Sequence, residues 1–67
     1  MCMSTLLNTI KKEGSIGSDR RLAQILGIAP SQISKLRTGA PLTGDTMIRI
    51  YDEIGMSIER IRALAAA

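Results

Sequence analysis

The sequence predicts an all-α fold, a compact five-helix domain. Apolar residues recur at spacings of three and four, the period that places side chains on one face of an α-helix, and no convincing strand pattern is present. Glycines and two prolines divide the chain into five short segments. A chain of 67 residues makes one domain, and we expect its ends, about residues 1–3 and 66–67, to fray.

The first two helices are bounded by capping residues and glycines. Ser4 or Thr5 can cap the first helix, which ends at Gly14. Ser18 can cap the second helix, which ends at Gly27 after about two turns. Their apolar faces are formed by Leu6, Leu7 and Ile10 and by Leu22, Ala23, Ile25 and Leu26.

The third helix begins at Pro30, a residue that suits a first helical position, and runs to about Thr38 before Gly39. Its apolar face is narrow, because only Ile33 and Leu36 are hydrophobic. The remaining side chains are polar or basic, and there is no acid between Ile28 and Leu42.

Thr43 can cap a fourth helix that runs through Ile54 to Gly55, and Ser57 can cap a fifth. The spacing of the fourth helix predicts a core stripe of Met47, Ile50, Tyr51 and Ile54. The apolar side of the fifth helix consists of Ile58, Ile61, Leu64 and Ala65.

Composition excludes several classes of function. The chain has no histidine and one cysteine, Cys2, so it lacks a Cys/His zinc site, a Ser-His-Asp triad and a Cys-His pair. We therefore expect no enzyme, no metal, no cofactor and no small-molecule ligand, and we interpret Cys2 as an incidental free thiol. No apolar run is long enough to span a membrane, and the N-terminus does not resemble a secretory signal, so we expect a cytoplasmic protein.

The charge of the chain is unevenly distributed. Residues 1–38 hold six basic and two acidic residues, whereas residues 39–67 hold three basic and four acidic ones, within a net charge of +3. A basic half beside a nearly neutral half favours a polyanionic partner on one face.

Residues 19–38 are the most informative segment. Two short helices meet at a turn that contains Gly27, where glycine permits a positive φ, and small Ala23 allows the second helix to cross closely. Ile28, Ile33 and Leu36 would then fix the pair. This arrangement holds one helix outward, as a helix that enters a DNA major groove must be held.

The segment LAQILGIAPSQISKLRTG resembles the helix-turn-helix of the phage-repressor and Cro-type (lambda-repressor-like, XRE) family. Ala23, Gly27, Ile33 and Leu36 stand at that family's small, turn and two buried positions. The downstream segment PLTGDTMIRIYDEIGMSIERI is similar to the family's fourth and fifth helices, so that the likeness covers about residues 4–65.

The resemblance implies a sequence-specific regulator of transcription that binds double-stranded DNA, with the third helix in the major groove. It assigns base reading to Ser31, Gln32, Ser34, Lys35 and Thr38, of which Ser31, Gln32 and Lys35 are the foremost candidates. Phosphate contacts are expected from Ser18, Arg20, Arg21, Arg37 and Thr43, with no choice made between Arg20 and Arg21. Lys11 and Lys12 are interpreted as a solvated helix end.

The sequence departs from the family pattern after the buried residue Leu36. Many relatives carry an acid at the next position, whereas this chain has Arg37. The exchange is expected to remove an intramolecular ion pair and to leave Arg37 for phosphate. The loop of residues 14–18 is a second departure, since it is longer than usual.

We expect a homodimer on a pseudo-palindromic operator, because one such domain covers only about 600–1,000 Å² of protein surface on DNA. The predicted contact surface is the last helix and its neighbourhood: Met56, Ile58, Ile61, Leu64 and Ala65. These residues can equally belong to the core. Since no ligand or oligomerisation domain follows, we expect a stand-alone Cro-type repressor.

Two other functions remain open at this point. A phage-type transcription activator differs from a repressor only in promoter position and a polymerase contact, and neither is visible in a sequence. A helical module that binds protein, such as an antitoxin or an antirepressor, is the other. Residues 19–38 can also be a plain helical hairpin in a small bundle.

Overall fold

The helices begin and end close to the predicted caps and glycines. The computed structural model describes residues 3–66, which hold five α-helices and no strand. The helices are α1 (Ser4–Glu13), α2 (Asp19–Leu26), α3 (Pro30–Arg37), α4 (Gly44–Ile54) and α5 (Ile58–Ala66). The expectations of a free thiol at Cys2 and of fraying at residues 1, 2 and 67 concern positions outside this range.

Capping side chains act where the sequence predicts them, except at α1. The hydroxyls of Ser18, Thr43 and Ser57 accept hydrogen bonds from the backbone N–H three residues later, at 3.1, 3.3 and 3.2 Å. The prediction of a cap at Ser4 or Thr5 is wrong, because the N-cap residue of α1 is Met3 and its side chain makes no capping bond. Helix α1 therefore begins without a side-chain cap.

The end of α1 depends on two residues rather than on Gly14 alone. Ser15 has a φ of +53°, and the N–H of Ile16 donates to the carbonyl of Lys11 at 2.8 Å, which closes the last turn. The side chain of Ile16 folds back over Gly14, where a Cβ would lie 3.1 Å from its terminal methyl group. This packing buries Ile16 in a connection that the sequence predicted only as a loop.

The core is made of aliphatic side chains from all five helices. Helix α2 packs against α3 and α4, and α5 packs against α1 and α4. No polar or charged side chain is buried among the described residues. The buried residues are Leu6, Leu7, Ile10, Ile16, Leu22, Ala23, Leu26, Ile33, Leu36, Ile50, Met56 and Ile61.

Two predictions about apolar residues are wrong. Tyr51 is not part of the core stripe of α4, since 53% of it is exposed, while Ile50 of the same stripe is fully buried. Met56 and Ile61 are not available for a dimer contact, because α5 closes the core against α1 and α4 and buries both of them. The other three candidates, Ile58, Leu64 and Ala65, are half-buried against the core.

An ion pair joins the end of α1 to the first turn of α5. The guanidinium of Arg60 in α5 donates to both carboxylate oxygens of Glu13 in α1, with a distance of 2.7 Å from Nη1 to Oε1. The hydrogen bond to Arg60 lowers the pKa of Glu13, and Glu13 in turn raises the pKa of Arg60.

None of the helices within residues 3–66 is long and apolar enough to cross a membrane.

Candidate functional site

The turn between α2 and α3 has the geometry that its glycine predicts. Gly27 has a φ of +70°, a region that residues with a Cβ disfavour. The N–H of Gly27 donates to the carbonyl of Gln24 at 3.2 Å, and the N–H of Ile28 donates to that of Ala23 at 3.0 Å. These two bonds end α2 in a Schellman motif and direct the chain into α3.

A side chain from α4 fixes this turn from outside. Nη1 of Arg49 donates to the carbonyl of Leu26 at 3.2 Å and to that of Gly27 at 3.4 Å. The Nε of Arg49 pairs with Asp45 one turn earlier, at 3.2 Å. A Cβ on Gly27 would lie 2.9 Å from this Nη1, so glycine also makes room for the contact. No local pattern in the sequence predicts this contact of Arg49.

Helix α3 has one buried face and one exposed face. Ile33 is fully buried and Leu36 is 6% exposed, so the apolar pair attaches the helix to the core. The five candidates for base reading are all exposed: Ser31, Gln32, Ser34, Lys35 and Thr38. The hydroxyl of Thr38 bonds to the carbonyls of Ser34 and Lys35 at 3.1 and 3.0 Å, whereas no other member of the set forms a side-chain hydrogen bond within residues 3–66.

Arg37 forms an ion pair, and the prediction that it is left for phosphate is wrong. Its Nε donates to Oδ2 of Asp19 at 2.6 Å, and its Nη2 donates to Oδ1 at 2.8 Å. Nη2 also donates to the side-chain oxygen of Asn8 at 3.0 Å. The chain has Arg37 where many relatives carry an acid, but an intramolecular ion pair is still formed. Its acid is Asp19 at the start of α2, and its cation is Arg37 at the end of α3.

Lys11 forms a cluster with Asp19 and Arg37, so its interpretation as part of a solvated helix end is wrong. Its Nζ lies 3.1 Å from Oδ1 of Asp19, so that α1, α2 and α3 meet at one carboxylate. The hydrogen bond from Arg37 has the largest effect on the pKa of Asp19 and lowers it. Partial burial opposes this effect, whereas the hydrogen bond from Lys11 adds to it, so that the pKa falls to about 2. Lys12 is exposed, as predicted.

In the described part of the chain, the acids that form no ion pair lie only in α4 and α5. Within residues 3–66, Arg20, Arg21 and Lys35 of α2 and α3 lie beyond ion-pair distance of any acid, as do Lys12 and Arg62. The acids of the same range that lack a cation are Asp52, Glu53 and Glu59, all in α4 and α5. The α2–α3 surface is therefore basic and the α4–α5 surface is acidic on balance.

The hydroxyls of Ser18 and Thr43 are used within the chain as helix caps. Thr43 also donates to the hydroxyl of Thr46 at 3.0 Å. In its capping bond the hydroxyl of Ser18 is the acceptor and keeps its own hydrogen to donate, so it stays a candidate for a phosphate contact at the start of α2, together with the first-turn backbone N–H groups and the exposed side chains of Arg20 and Arg21. Nη1 of Arg21 donates a hydrogen bond to Oε1 of Gln24 at 3.3 Å.

A surface hollow is lined both by candidates for base reading and by a candidate for phosphate binding. Its volume is about 270 Å³, and it lies between α3, the following loop and the start of α4. Gln32 and Lys35 line it from α3, and Thr43 and Thr46 line it from the opposite side. Leu36, Ala40 and Pro41 form its apolar part. The hollow therefore combines polar side chains from α3 and α4 with an apolar surface beside α3.

The described residues contain no group of three or more histidines, cysteines or acids that could hold a metal ion. Comparison of the chain with protein-family models, with curated proteins and with solved structures found no match.

Proposed function

We propose that this protein is a transcriptional regulator that binds double-stranded DNA in a sequence-specific manner. In this proposal α2, the turn at Gly27 and α3 form a helix-turn-helix, and α3 enters the major groove. A homodimer acts as a Cro-type repressor on a pseudo-palindromic operator. The observation that carries the proposal is the division of α3 into a buried pair, Ile33 and Leu36, and an exposed face without any acid.

The exposed face of α3 has the chemistry that base edges require. The amide of Gln32 can accept from and donate to adenine at N6 and N7, and the ammonium group of Lys35 can donate to O6 and N7 of guanine. Ser31 and Ser34 add short hydroxyl groups that reach either bases or phosphates. A major groove about 12 Å wide admits one helix with such side chains.

The basic surface beside α3 supports contacts to the phosphate backbone. Arg20 and Arg21 extend from the first turn of α2, where the N–H groups and the helix dipole also favour an anion. The carboxylate of Asp19 lies at the same end, but Arg37 and Lys11 neutralise it and leave the cluster with one net positive charge. Arg37 therefore positions α3 against α2 in this proposal and does not bind phosphate itself.

The test is selection of bound sequences from a random pool of duplex DNA, followed by binding measurements with variants. Lys35→Ala is expected to weaken binding to the selected sequence by about 1–3 kcal/mol and to change the preferred base. Lys12→Ala removes the same charge from an exposed position on α1 and serves as the matched control. It is expected to change affinity much less and to leave base preference intact.

Three results would contradict the proposal. The first is recovery of no preferred sequence from the pool, together with no binding to random DNA at low salt. The second is equal loss of affinity for selected and random DNA in Lys35→Ala, which would assign Lys35 to phosphate. The third is an equal effect of Lys12→Ala and Lys35→Ala on base preference, which would separate α3 from the groove.

A further inference from the structure

In addition to its buried pair, helix α3 is held at each end by an arginine. At the carboxyl end, Arg37 reaches out of α3 and pairs with Asp19 at the start of α2, at 2.6 Å. At the amino end, Arg49 of α4 reaches the turn before α3 and donates to the carbonyls of Leu26 and Gly27. Both ends of α3 therefore depend on a guanidinium group.

The amino end of α3 has no side-chain cap of its own. Its N-cap residue is Ala29, which has no acceptor for the first N–H groups, in contrast to Ser18 at α2 and Thr43 at α4. Helix α3 packs chiefly against α2, so its direction depends on the connection formed by residues 27–29. Among the described residues, Arg49 is the one whose side chain donates to this connection.

The chemistry of Arg49 suits the end of α2. The carbonyl of Leu26 is one of the last four of the helix, which lack a partner within it, and the carbonyl of Gly27 lies beyond the helix end. A cation there also opposes the negative end of the helix dipole. Asp45 pairs with Nε of Arg49, but these side chains are 79% and 43% exposed, so the pair adds little stability and chiefly orients the guanidinium.

We propose that Arg49 is a positioning residue of the DNA-binding site, which holds the turn at Gly27 and thereby sets the direction in which α3 enters the groove. The inference rests on the proposed function. Contacts to base edges need side chains placed within about 0.5 Å and about 10–20° of the right geometry. Ser31 and Gln32 lie in the first turn of α3, next to the connection that Arg49 holds, so their contacts depend on it most. Arg49 acts through α3 and touches no DNA itself.

The first test compares affinity for the selected duplex with affinity for random DNA. Arg49→Met keeps most of the apolar stem of the side chain and removes its donors and its charge. The ratio of the two affinities should fall at least about fivefold, the smallest effect expected when one good bidentate base contact is lost. A merely structural role would not change this ratio, because partial unfolding lowers both affinities by the same factor.

Arg62→Met is the matched control. Arg62 is an exposed residue of α5 that pairs with no acid within residues 3–66, and the change removes the same charge. It should leave the ratio of affinities at the wild-type value. A wild-type ratio in Arg49→Met, or an equal fall in Arg62→Met, would overturn the inference.

A double-mutant cycle tests whether Arg49 acts through α3. In a Gln32→Ala background the first turn of α3 has already lost its amide contact to a base. Arg49→Met should therefore lower the ratio of affinities less in that background than in the wild type. Fully additive effects of the two changes would contradict a positioning role.

Residual dipolar couplings of the free protein separate this inference from the proposed function, because they report the angle between α2 and α3 without DNA. Arg49→Met should change this angle, whereas Arg62→Met should preserve it. An unchanged angle in Arg49→Met would overturn the inference and leave the proposed function in place. A wild-type protein that selects no sequence would refute the proposed function, while a changed angle would still assign the placement of α3 to Arg49.

Discussion

Gly27→Ala tests the turn that orients α3, and its cost can be worked out from the structure. A residue with a Cβ at a φ of +70° is disfavoured by about 1–2 kcal/mol. The lower entropy of the unfolded chain returns about 0.4–1 kcal/mol. The new Cβ would lie 2.9 Å from Nη1 of Arg49, so that this guanidinium must move and weaken its two bonds to the carbonyls of α2, at about 0.5–1.5 kcal/mol each.

The net loss of stability is therefore expected to be about 1–4.5 kcal/mol. Thermal unfolding followed by circular dichroism is the assay, and for a chain of this length each kcal/mol lowers the melting temperature by about 7 °C. Gly17→Ala is the control, because a Cβ there meets nothing within 4 Å and the backbone needs no positive φ. That variant should match the wild type or exceed it slightly.

A double-mutant cycle divides the loss into its two causes. In an Arg49→Ala background the steric contribution of Gly27→Ala is absent, and only the backbone cost remains. The effect of Gly27→Ala should therefore be smaller in that background than in the wild type. Equal melting temperatures for Gly27→Ala and the wild type, or an effect that does not depend on Arg49, would refute the reasoning about this turn.

Three further outcomes are expected. Ala23→Leu should destabilise the domain by about 1–3 kcal/mol or unfold it, because Ala23 is fully buried between packed helices, and an unchanged melting temperature would argue against their close approach. Asp19→Asn should cost about 1 kcal/mol at neutral pH, because Arg37 loses its partly exposed partner. Since the pKa of Asp19 is lowered from 3.8 to about 2, its stabilising effect is complete above the higher value and is lost as the pH falls through the lower one. Urea denaturation should therefore show the difference from the wild type shrinking between about pH 4 and pH 2, and a constant difference would contradict the ion pair. A dimer that neutralises about six phosphates should bind its operator with a slope of about −5 in log affinity against log salt. Arg20→Ala and Arg21→Ala together should make this slope shallower, and an unchanged slope would remove both residues from the phosphate contacts.

The helices could be predicted from the sequence because their ends depend on neighbouring residues. A cap joins residues three apart, as Ser18 and Thr43 show, and the turn at Gly27 depends on one backbone conformation. The buried and exposed sides of α3 were equally accessible, since only Ile33 and Leu36 are apolar among eight residues. Local chemistry decides all of these features.

The features that the sequence did not reveal depend on contacts between distant residues. Arg37 finds Asp19 only when α2 and α3 have packed, 18 positions apart, and Arg49 reaches the carbonyls of α2 over more than 20 positions. Tyr51 fits the spacing of a core stripe, but spacing does not show how much of a wide stripe the neighbouring helices cover. The burial of Met56 and Ile61 follows from the same packing.

The central claim is that the exposed face of α3 lies in a duplex groove. Amide chemical shifts measured by nuclear magnetic resonance during titration with the selected duplex test it most directly. The account predicts the largest changes at Gln32 and Lys35 and at the start of α2. Changes that spare α3 while the duplex binds elsewhere would contradict the account.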